Sequence, residues 1–145
     1  MHQEFSVLID HKIKKFNKII VVESDKSISH RALLIASQCI GVSNLEGVLE
    51  SDDVINTIAC LKKLGIKILK KKEKYIVYGN GLGSFKRNSN KLISLYAGNS
   101  GTLARMLIAL LATQPNIKVK IFGDNSLNKR DMRRVVEPLS KIGCN

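Results

Sequence analysis

The order of its apolar patterns constrains the fold of this chain most, because segments of helical periodicity alternate with short strand-like segments. The clearest helix is predicted where apolar residues recur at i, i+3, i+4, i+7 and i+8, namely at Leu103, Met106, Leu107, Leu110 and Leu111. A second helix is predicted after Ser51, a good N-cap residue that is followed by two aspartates suited to the positive end of a helix dipole. Its apolar stripe consists of Val54, Ile55, Ile58, Leu61 and Leu64, with Gly65 as the stop.

Two more helices are predicted at either end of this pattern. The first spans Ser29–Ile40, is capped by Ser27 or Ser29, and ends at Gly41. Its inward face is expected to consist of Ala32, Leu33, Ala36, Cys39 and Ile40. The last helix is predicted within DMRRVVEPLSKIG, where Pro138 is an awkward interior residue and the apolar face consists of Val135, Val136, Leu139 and Ile142.

Strands are predicted between and before these helices. Two lie near the N-terminus, at Phe5–Ile9 and Ile19–Val22, and a third lies at VSNLEGV. The segments IKIL and YIVYG predict a β-hairpin, and IKVKIFG predicts an alternating strand. The resulting order is strand, helix, strand, helix, strand, strand, followed by a second such unit that begins but lacks its closing strands.

Charge and composition narrow the class of protein. The 145 residues suit one domain, and 24 Lys and Arg against 12 Asp and Glu give a net charge of +12. A basic surface attracts anions such as nucleic acids, anionic lipids or phosphorylated metabolites. Part of the excess is the run Lys67, Lys70, Lys71, Lys72 and Lys74, which is best explained as a solvated strand edge.

Location and metal binding are also addressed by the sequence. No apolar run approaches the roughly 18 residues of a membrane span, and the N-terminus has no signal-peptide pattern, so we expect a cytoplasmic protein without membrane contact. The three cysteines are widely spaced and form no metal-binding pattern with the histidines. Cys39 and Cys60 fall on apolar helix faces and are expected to fill the core. No metal site is predicted.

Three loops that precede helices carry the residues expected to bind a ligand. Each combines cations, hydroxyl groups or glycines with a helix start, where free backbone N–H groups and the helix dipole favour anions. The loops are DKSISHR (residues 25–31), AGNSGT (residues 97–102) and GDNSLNKRDMRR (residues 123–134). Helix capping or solvated charge explains any one of them alone. Together they predict a site for a small molecule with several negative charges.

These motifs resemble those of a known family. DKSISHRALL, LESDD, AGNSGT with a following arginine, and GDNSLNKRDMRR occur in the order and spacing of the 5-enolpyruvylshikimate-3-phosphate synthases, also called 3-phosphoshikimate 1-carboxyvinyltransferases. The resemblance extends from about Ile19 to Gly143. It implies an α+β fold of βαβαββ units in two lobes, of which this chain supplies one unit and the start of a second. It also implies transfer of an enolpyruvyl group from phosphoenolpyruvate to shikimate 3-phosphate, a step of the shikimate pathway, with neither a metal nor an organic cofactor.

The resemblance also implies roles for individual residues. Lys26, Ser27 and Arg31 would bind shikimate 3-phosphate, and Lys26 would touch phosphoenolpyruvate as well. Gly101 and Arg130 would contact phosphoenolpyruvate. The positions expected near the same site, with less defined roles, are Asn99, Thr102 and Arg105.

The chain departs from the family in three respects. Glu23 and Ser24 replace the usual proline and glycine, and Asp131 replaces the proline after Arg130. An added carboxylate is expected either to weaken substrate binding or, at Asp131, to serve a helix start.

The third departure is length, because the chain corresponds to roughly the first third of the family enzymes. Residues 1–22 would pair with the other lobe, and residues 23–145 would form part of the N-terminal lobe. The carboxylates assigned to proton transfer lie in the missing part, so no catalytic residue is assigned and the chain alone is expected to lack turnover. Whether a separate chain carries the missing part stays open.

Two alternatives to this function are kept open. A basic nucleic-acid-binding module would explain the charge, but aromatic residues make up only 5% of the chain and no nucleic-acid motif is present. The other alternative is a non-catalytic family member that binds a phosphorylated ligand.

Overall fold

The computed structural model describes Ile19 and residues 22–85, 91–114 and 117–144. Its helices and strands follow in the order α1 (Lys26–Gln38), β1 (Ile40–Glu46), α2 (Asp52–Lys63), β2 (Lys67–Lys71), β3 (Lys74–Asn80), β4 (Ile93–Tyr96), α3 (Gly101–Ala112), β5 (Val119–Phe122), α4 (Asn125–Asn128) and α5 (Arg133–Lys141). The predicted strand Phe5–Ile9 lies outside the described residues, as do the two central residues of Ile19–Val22. Both strands therefore stay predictions.

The described strands form two sheets. β3 lies between β1 and β2 and pairs antiparallel with both, so that Val77 faces Ser43 on one side and Ile68 on the other. β4 and β5 pair in parallel, with Leu95 opposite Ile121. The order from α1 to β3 is that of the expected βαβαββ unit without its first strand, and β4, α3 and β5 begin a second unit.

A single apolar core joins these elements. α1 and α2 pack on each other, α1 contacts β3 and α3, and α2 contacts β2 and β4. The fully buried side chains include Leu33 of α1, Val54 and Leu61 of α2, Val77 of β3 and Leu107 of α3. Apolar burial of this kind supplies most of the stabilisation of a domain of this size and sets how the helix N-termini are placed.

α1 begins three residues before the predicted start. Asp25 is its N-cap, and its carboxylate accepts a hydrogen bond of 2.7 Å from the Ile28 backbone N–H. The prediction that Ser27 or Ser29 caps the helix is therefore wrong. The Ser29 hydroxyl instead donates to the Asp25 carbonyl at 2.8 Å and accepts the Leu49 N–H at 3.0 Å, which connects the helix to the loop after β1.

The end of α1 also differs from the prediction. Cys39 turns the backbone into an extended conformation, and Ile40 opens β1 with 92% of its surface exposed. Both residues were expected on the buried face, and both are exposed because the helical periodicity stops at Gln38. Gly79 of β3 passes directly beneath this helix end.

α2 and α3 confirm the strongest helix predictions, with one error. Ser51 occupies the N-cap position of α2, although its hydroxyl makes no capping hydrogen bond. Ile55 is 44% exposed rather than part of the buried stripe. Cys60 is buried as expected, donates to the Tyr96 carbonyl, and has its thiol pKa raised to about 11 by burial.

The predicted last helix is α5, and a short helix that was not predicted, α4, precedes it. The short polar helix α4 has no apolar periodicity that sequence could show, and it forms because Asp124 caps it, accepting the Leu127 N–H at 2.7 Å. α5 includes Pro138 but buries none of its residues fully, and Ile142 follows it with 75% of its surface exposed. The turn between α4 and α5 carries Arg130.

The lysine-rich hairpin is exposed, as predicted. Lys70 donates to the Glu50 carboxylate at 2.7 Å, and Lys67 lies 4.7 Å from the ring centre of Tyr78. Among the described residues, no helix is long and apolar enough to cross a bilayer, and no group of three or more His, Cys, Asp or Glu could hold a metal ion.

Candidate functional site

A buried histidine brings three helix N-termini together. His30 of α1 is inaccessible to solvent, and its Nδ1 lies 2.6 Å from the Thr57 hydroxyl of α2. Its Nε2 lies 3.4 Å from the hydroxyl of Ser100, the N-cap of α3. Because buried polar groups need hydrogen-bond partners, these contacts set the N-terminal parts of α1, α2 and α3 side by side.

The N-terminus of α3 is free to bind an anion. The Ser100 hydroxyl accepts the Leu103 N–H at 3.1 Å, and the Ser100 carbonyl accepts the Ala104 N–H. The N–H groups of Gly101 and Thr102 have no acceptor among the described residues. Two free donors at the positive end of a twelve-residue helix favour a negatively charged group.

Two guanidinium groups converge on the same point. A Cβ atom placed on Gly101 would lie 2.8 Å from Nη1 of Arg130 and 3.0 Å from Nη1 of Arg105. Nε of Arg105 is buried and has no hydrogen-bond partner among the described residues. Like charges this close repel each other unless an anion lies between them, and the planar fork of arginine matches phosphate and carboxylate.

The loop before α4 holds Arg130 in this position. Nη2 of Arg130 donates to the Asn99 side-chain oxygen, and the Asn99 amide donates to the Asp124 carboxylate at 2.6 Å. The Asp124 N–H also bonds the Gly98 carbonyl at 3.0 Å, and Gly98 turns the chain with a φ of 59°. The hydrogen bond from the Leu127 N–H, and to a smaller extent that from Asn99, lowers the pKa of Asp124. The carboxylate that holds Asn99 therefore stays ionised at neutral pH.

The DKSISHR motif at the start of α1 is connected through α2 to the residues around Gly101. Nζ of Lys26 lies 2.9 Å from the Asp53 carboxylate in the first turn of α2. Asp53 lines a shallow cleft of about 420 Å³ that also contains Asn99. Ser27 is partly buried and Arg31 is exposed, and no described contact joins these two to the arginines at Gly101.

The predicted site residues thus fall into two groups. Asn99, Gly101, Arg105 and Arg130 lie together, with Thr102 as the second residue of the same helix. The other group lies at the start of α1 and consists of Lys26, Ser27 and Arg31. The contact between His30 and Ser100 relates the two groups to each other.

Asp131 serves a helix start rather than opposing Arg130. Its carboxylate accepts the backbone N–H of Arg133, the first residue of α5, at 2.8 Å, and it pairs with the Arg133 guanidinium at 2.7 Å. This side-chain hydrogen bond lowers the pKa of Asp131. The geometry therefore supports the expectation that Asp131 serves a helix start, and not the expectation that it weakens substrate binding.

The site also contains residues that were not predicted from sequence, among them His30, Asp53 and Asp124. His30 lies in the DKSISHR motif and Asp124 in the GDNSLNKRDMRR motif. Their nearness in sequence to Lys26 and Arg130 is the signal that could have identified them as site residues. Asp53 ends the LESDD motif, but the sequence assigns it no role beyond that of an acid favoured at a helix start. Its partner Lys26 is 27 residues away, and only the packing of α1 on α2 brings the two together.

The comparisons with known proteins agree on one family. A family model described as EPSP synthase (3-phosphoshikimate 1-carboxyvinyltransferase) matches residues 11–145. The 3-phosphoshikimate 1-carboxyvinyltransferase of Caldicellulosiruptor bescii is 44% identical over 139 residues, which cover 96% of this chain and 31% of that protein. Its counterpart from Syntrophomonas wolfei is 39% identical over 137 residues, covering 94% of this chain and 31% of that protein.

Solved structures give the same result. The EPSP synthase from Acinetobacter baumannii superimposes with a TM-score of 0.75 at 32% identity, covering 87% of this chain and 28% of that one. The expected fold class, an incomplete enolpyruvyl transferase fold, is confirmed. The chain spans less than a third of the length of these relatives.

Proposed function

Because the chain belongs to the EPSP synthase family, we propose that it forms part of the N-terminal lobe of an enzyme that transfers the enolpyruvyl group of phosphoenolpyruvate to shikimate 3-phosphate. The products are 5-enolpyruvylshikimate 3-phosphate and phosphate. The observation that carries the proposal is the convergence of Arg105 and Arg130 on Gly101 at the start of α3, where two backbone N–H groups have no acceptor among the described residues. Phosphoenolpyruvate has a phosphate and a carboxylate, which suits two forked cations and a helix N-terminus.

In this proposal, the two groups of residues bind different substrates, and Lys26 alone contacts both. Gly101 and Arg130 contact phosphoenolpyruvate, with Asn99, Thr102 and Arg105 around them. The residues at the start of α1 bind shikimate 3-phosphate: Lys26, Ser27 and Arg31. Lys26 also touches phosphoenolpyruvate. The His30 contact supports this division, because it holds the first turn of α3 beside α1.

The proposed chemistry is addition followed by elimination. The acceptor hydroxyl loses its proton and adds to C2 of phosphoenolpyruvate, while C3 takes up a proton and the double bond is lost. Phosphate then leaves C2 and a proton leaves C3, which restores the double bond, so negative charge on the phosphate must be stabilised throughout. Fixed cations and backbone N–H groups do this without reorganisation during the reaction. Proton transfer requires a positioned acid and base, which we assign to the part of the relatives that this chain does not span.

We therefore expect the 145-residue chain alone to show no sustained turnover. The measurement is release of phosphate from phosphoenolpyruvate and shikimate 3-phosphate together, with either substrate alone as the control. Steady release that requires both substrates would contradict the expectation. Binding of either substrate without release would agree with it.

Replacing Arg130 by alanine tests the phosphoenolpyruvate site. Loss of a charge-assisted contact is expected to raise the Kd for phosphoenolpyruvate about tenfold, measured by calorimetry at fixed ionic strength. Arg134→Ala is the matched control, since it removes the same charge from an exposed position on α5. Equal weakening by both variants would indicate general electrostatic attraction, the behaviour of a nucleic-acid-binding surface, and would contradict the proposed site.

Two further expectations belong to this proposal. Residues 1–22 pair with the other lobe, on a separate chain or a continuous one. The cytoplasmic location stays a prediction.

Family membership supports neither a nucleic-acid module nor a membrane partner.

A further inference from the structure

The protons of the His30 network can be assigned from its geometry. The Thr57 hydroxyl donates its single proton to the Asp53 carbonyl at 3.2 Å. His30 Nδ1, which is 2.6 Å from the same hydroxyl oxygen, must therefore be the donor of that contact. A neutral imidazole carries only one N–H, so Nε2 is an acceptor. The Ser100 hydroxyl, whose oxygen already accepts the Leu103 N–H, donates its proton to Nε2.

The surroundings of His30 favour this neutral form. Burial lowers the pKa of the ring; the nearby Asp53 carboxylate opposes this shift, and the Lys26 and Arg31 cations add to it. Ser100 and Thr57, the hydrogen-bonding groups on the other two helices, carry no charge. One tautomer, with the proton on Nδ1, is therefore consistent with every contact.

We propose that His30 is a positioning residue for the anion site: by accepting the Ser100 hydroxyl proton, it turns the lone pairs of that oxygen toward the first turn of α3. The cap then takes the Leu103 N–H, and the N–H groups of Gly101 and Thr102 stay free for the anion. His30 belongs to α1, so it also aligns the α1 motif with the start of α3. The identity of the anion as phosphoenolpyruvate rests on the proposed function, whereas the orientation of Ser100 does not.

Two substitutions separate the two contacts of the ring. In His30→Asn the amide takes the place of Nδ1, which keeps the contact to Thr57 and loses the one to Ser100. In His30→Gln the longer side chain places its carbonyl near the Nε2 position, where it can accept the Ser100 proton. We expect the Kd for inorganic phosphate and for phosphoenolpyruvate to rise about three- to tenfold in His30→Asn and to stay within about twofold of the unsubstituted chain in His30→Gln.

Ser37→Ala is the matched control. Ser37 is a fully buried hydroxyl on the same helix. It donates to the Leu34 carbonyl at 2.6 Å and accepts from the Gln38 amide at 3.3 Å, so both of its partners belong to α1. Its loss disturbs α1 without touching Ser100, so anion affinity should not change. If His30→Asn, His30→Gln and Ser37→Ala all weakened anion binding equally, His30 would have only a structural role and the proposal would be overturned.

Nitrogen NMR provides a readout that does not depend on binding. The ¹⁵N shifts of the ring should show a protonated Nδ1 and an unprotonated Nε2, and Ser100→Ala should shift the Nε2 resonance selectively. The His30→Asn spectrum assigns the signal among the three histidines. A proton on Nε2, or no response to Ser100→Ala, overturns the proposal whether or not either substitution folds poorly.

The same data distinguish this inference from the proposed function. If neither inorganic phosphate nor phosphoenolpyruvate binds the unsubstituted chain, the proposed anion site fails, and the proposal that His30 positions it fails with it, even where the tautomer is as assigned. If both bind and the tautomer is the opposite one, the site stands and His30 is not its positioning residue.

Discussion

Replacing Gly101 by alanine is expected to raise the Kd for phosphoenolpyruvate about ten- to a hundredfold while leaving the fold intact. The new methyl group would lie 2.8 Å from Nη1 of Arg130, closer than real contacts allow, and 3.0 Å from Nη1 of Arg105, tighter than most real contacts. Both neighbours are the ends of flexible side chains, so they can swing away at little cost to stability. Their movement removes two cations from the anion position at once.

A double-mutant cycle checks this cause. If the methyl group acts by displacing guanidinium groups, Gly101→Ala and Arg130→Ala together should weaken binding by less than the product of their separate effects. Calorimetric titration with phosphoenolpyruvate measures all four proteins, and circular dichroism confirms that each is folded. Unchanged affinity in Gly101→Ala would mean that the anion does not bind between these groups.

Replacing Gly79 by alanine is expected to destabilise the whole domain. A Cβ atom there would lie 2.3 Å from the carbonyl oxygens of both Ala36 and Cys39, which are backbone atoms at the end of α1. Neither can move alone, because Cys39 hydrogen-bonds Gly81 and the end of α1 packs on β3. We expect a loss of about 3 kcal/mol in the free energy of unfolding and a fall in Tm of about 10 °C.

Asn80→Ala is the control for this effect. Asn80 is the next residue of β3 and is exposed, so its replacement changes the strand without creating a clash. Scanning calorimetry of the two variants beside the unsubstituted chain gives the comparison. A Gly79→Ala protein that melts within about 2 °C of Asn80→Ala would show that the end of α1 yields easily, contrary to the packing described.

The predictions from sequence succeeded where local pattern decides structure. α3 has a long apolar repeat, and α2 has acids in its first turn and lysines in its last, so both could be placed from their own residues. The predictions were wrong where a neighbour decides. α1 starts at Lys26 because the Asp25 side chain caps it, and it stops before Ile40 because β1 leaves to pair with β3.

The site shows the same division. The loops containing Lys26, Gly101 and Arg130 were predicted because glycines, hydroxyl groups and cations at helix starts form a local pattern. The local pattern could not show that Arg105 and Arg130 approach the same point, and only the family resemblance placed them in one site. Arg130 lies 29 residues beyond Gly101 in the chain and is held there by hydrogen bonds through Asn99 to Asp124. Nor could the local pattern show that His30 is a contact between helices.

The amino-acid sequence by itself therefore determined the order of the described elements apart from α4, the three anion-facing loops and the family, because each depends on residues near one another in the chain. Only the tertiary structure decided which of those loops meet. His30 and Ser100 are 70 residues apart, and their contact exists because an apolar core packs α1, α2 and α3 together. Packing of that kind depends on the shape of every buried side chain, and no local pattern records it.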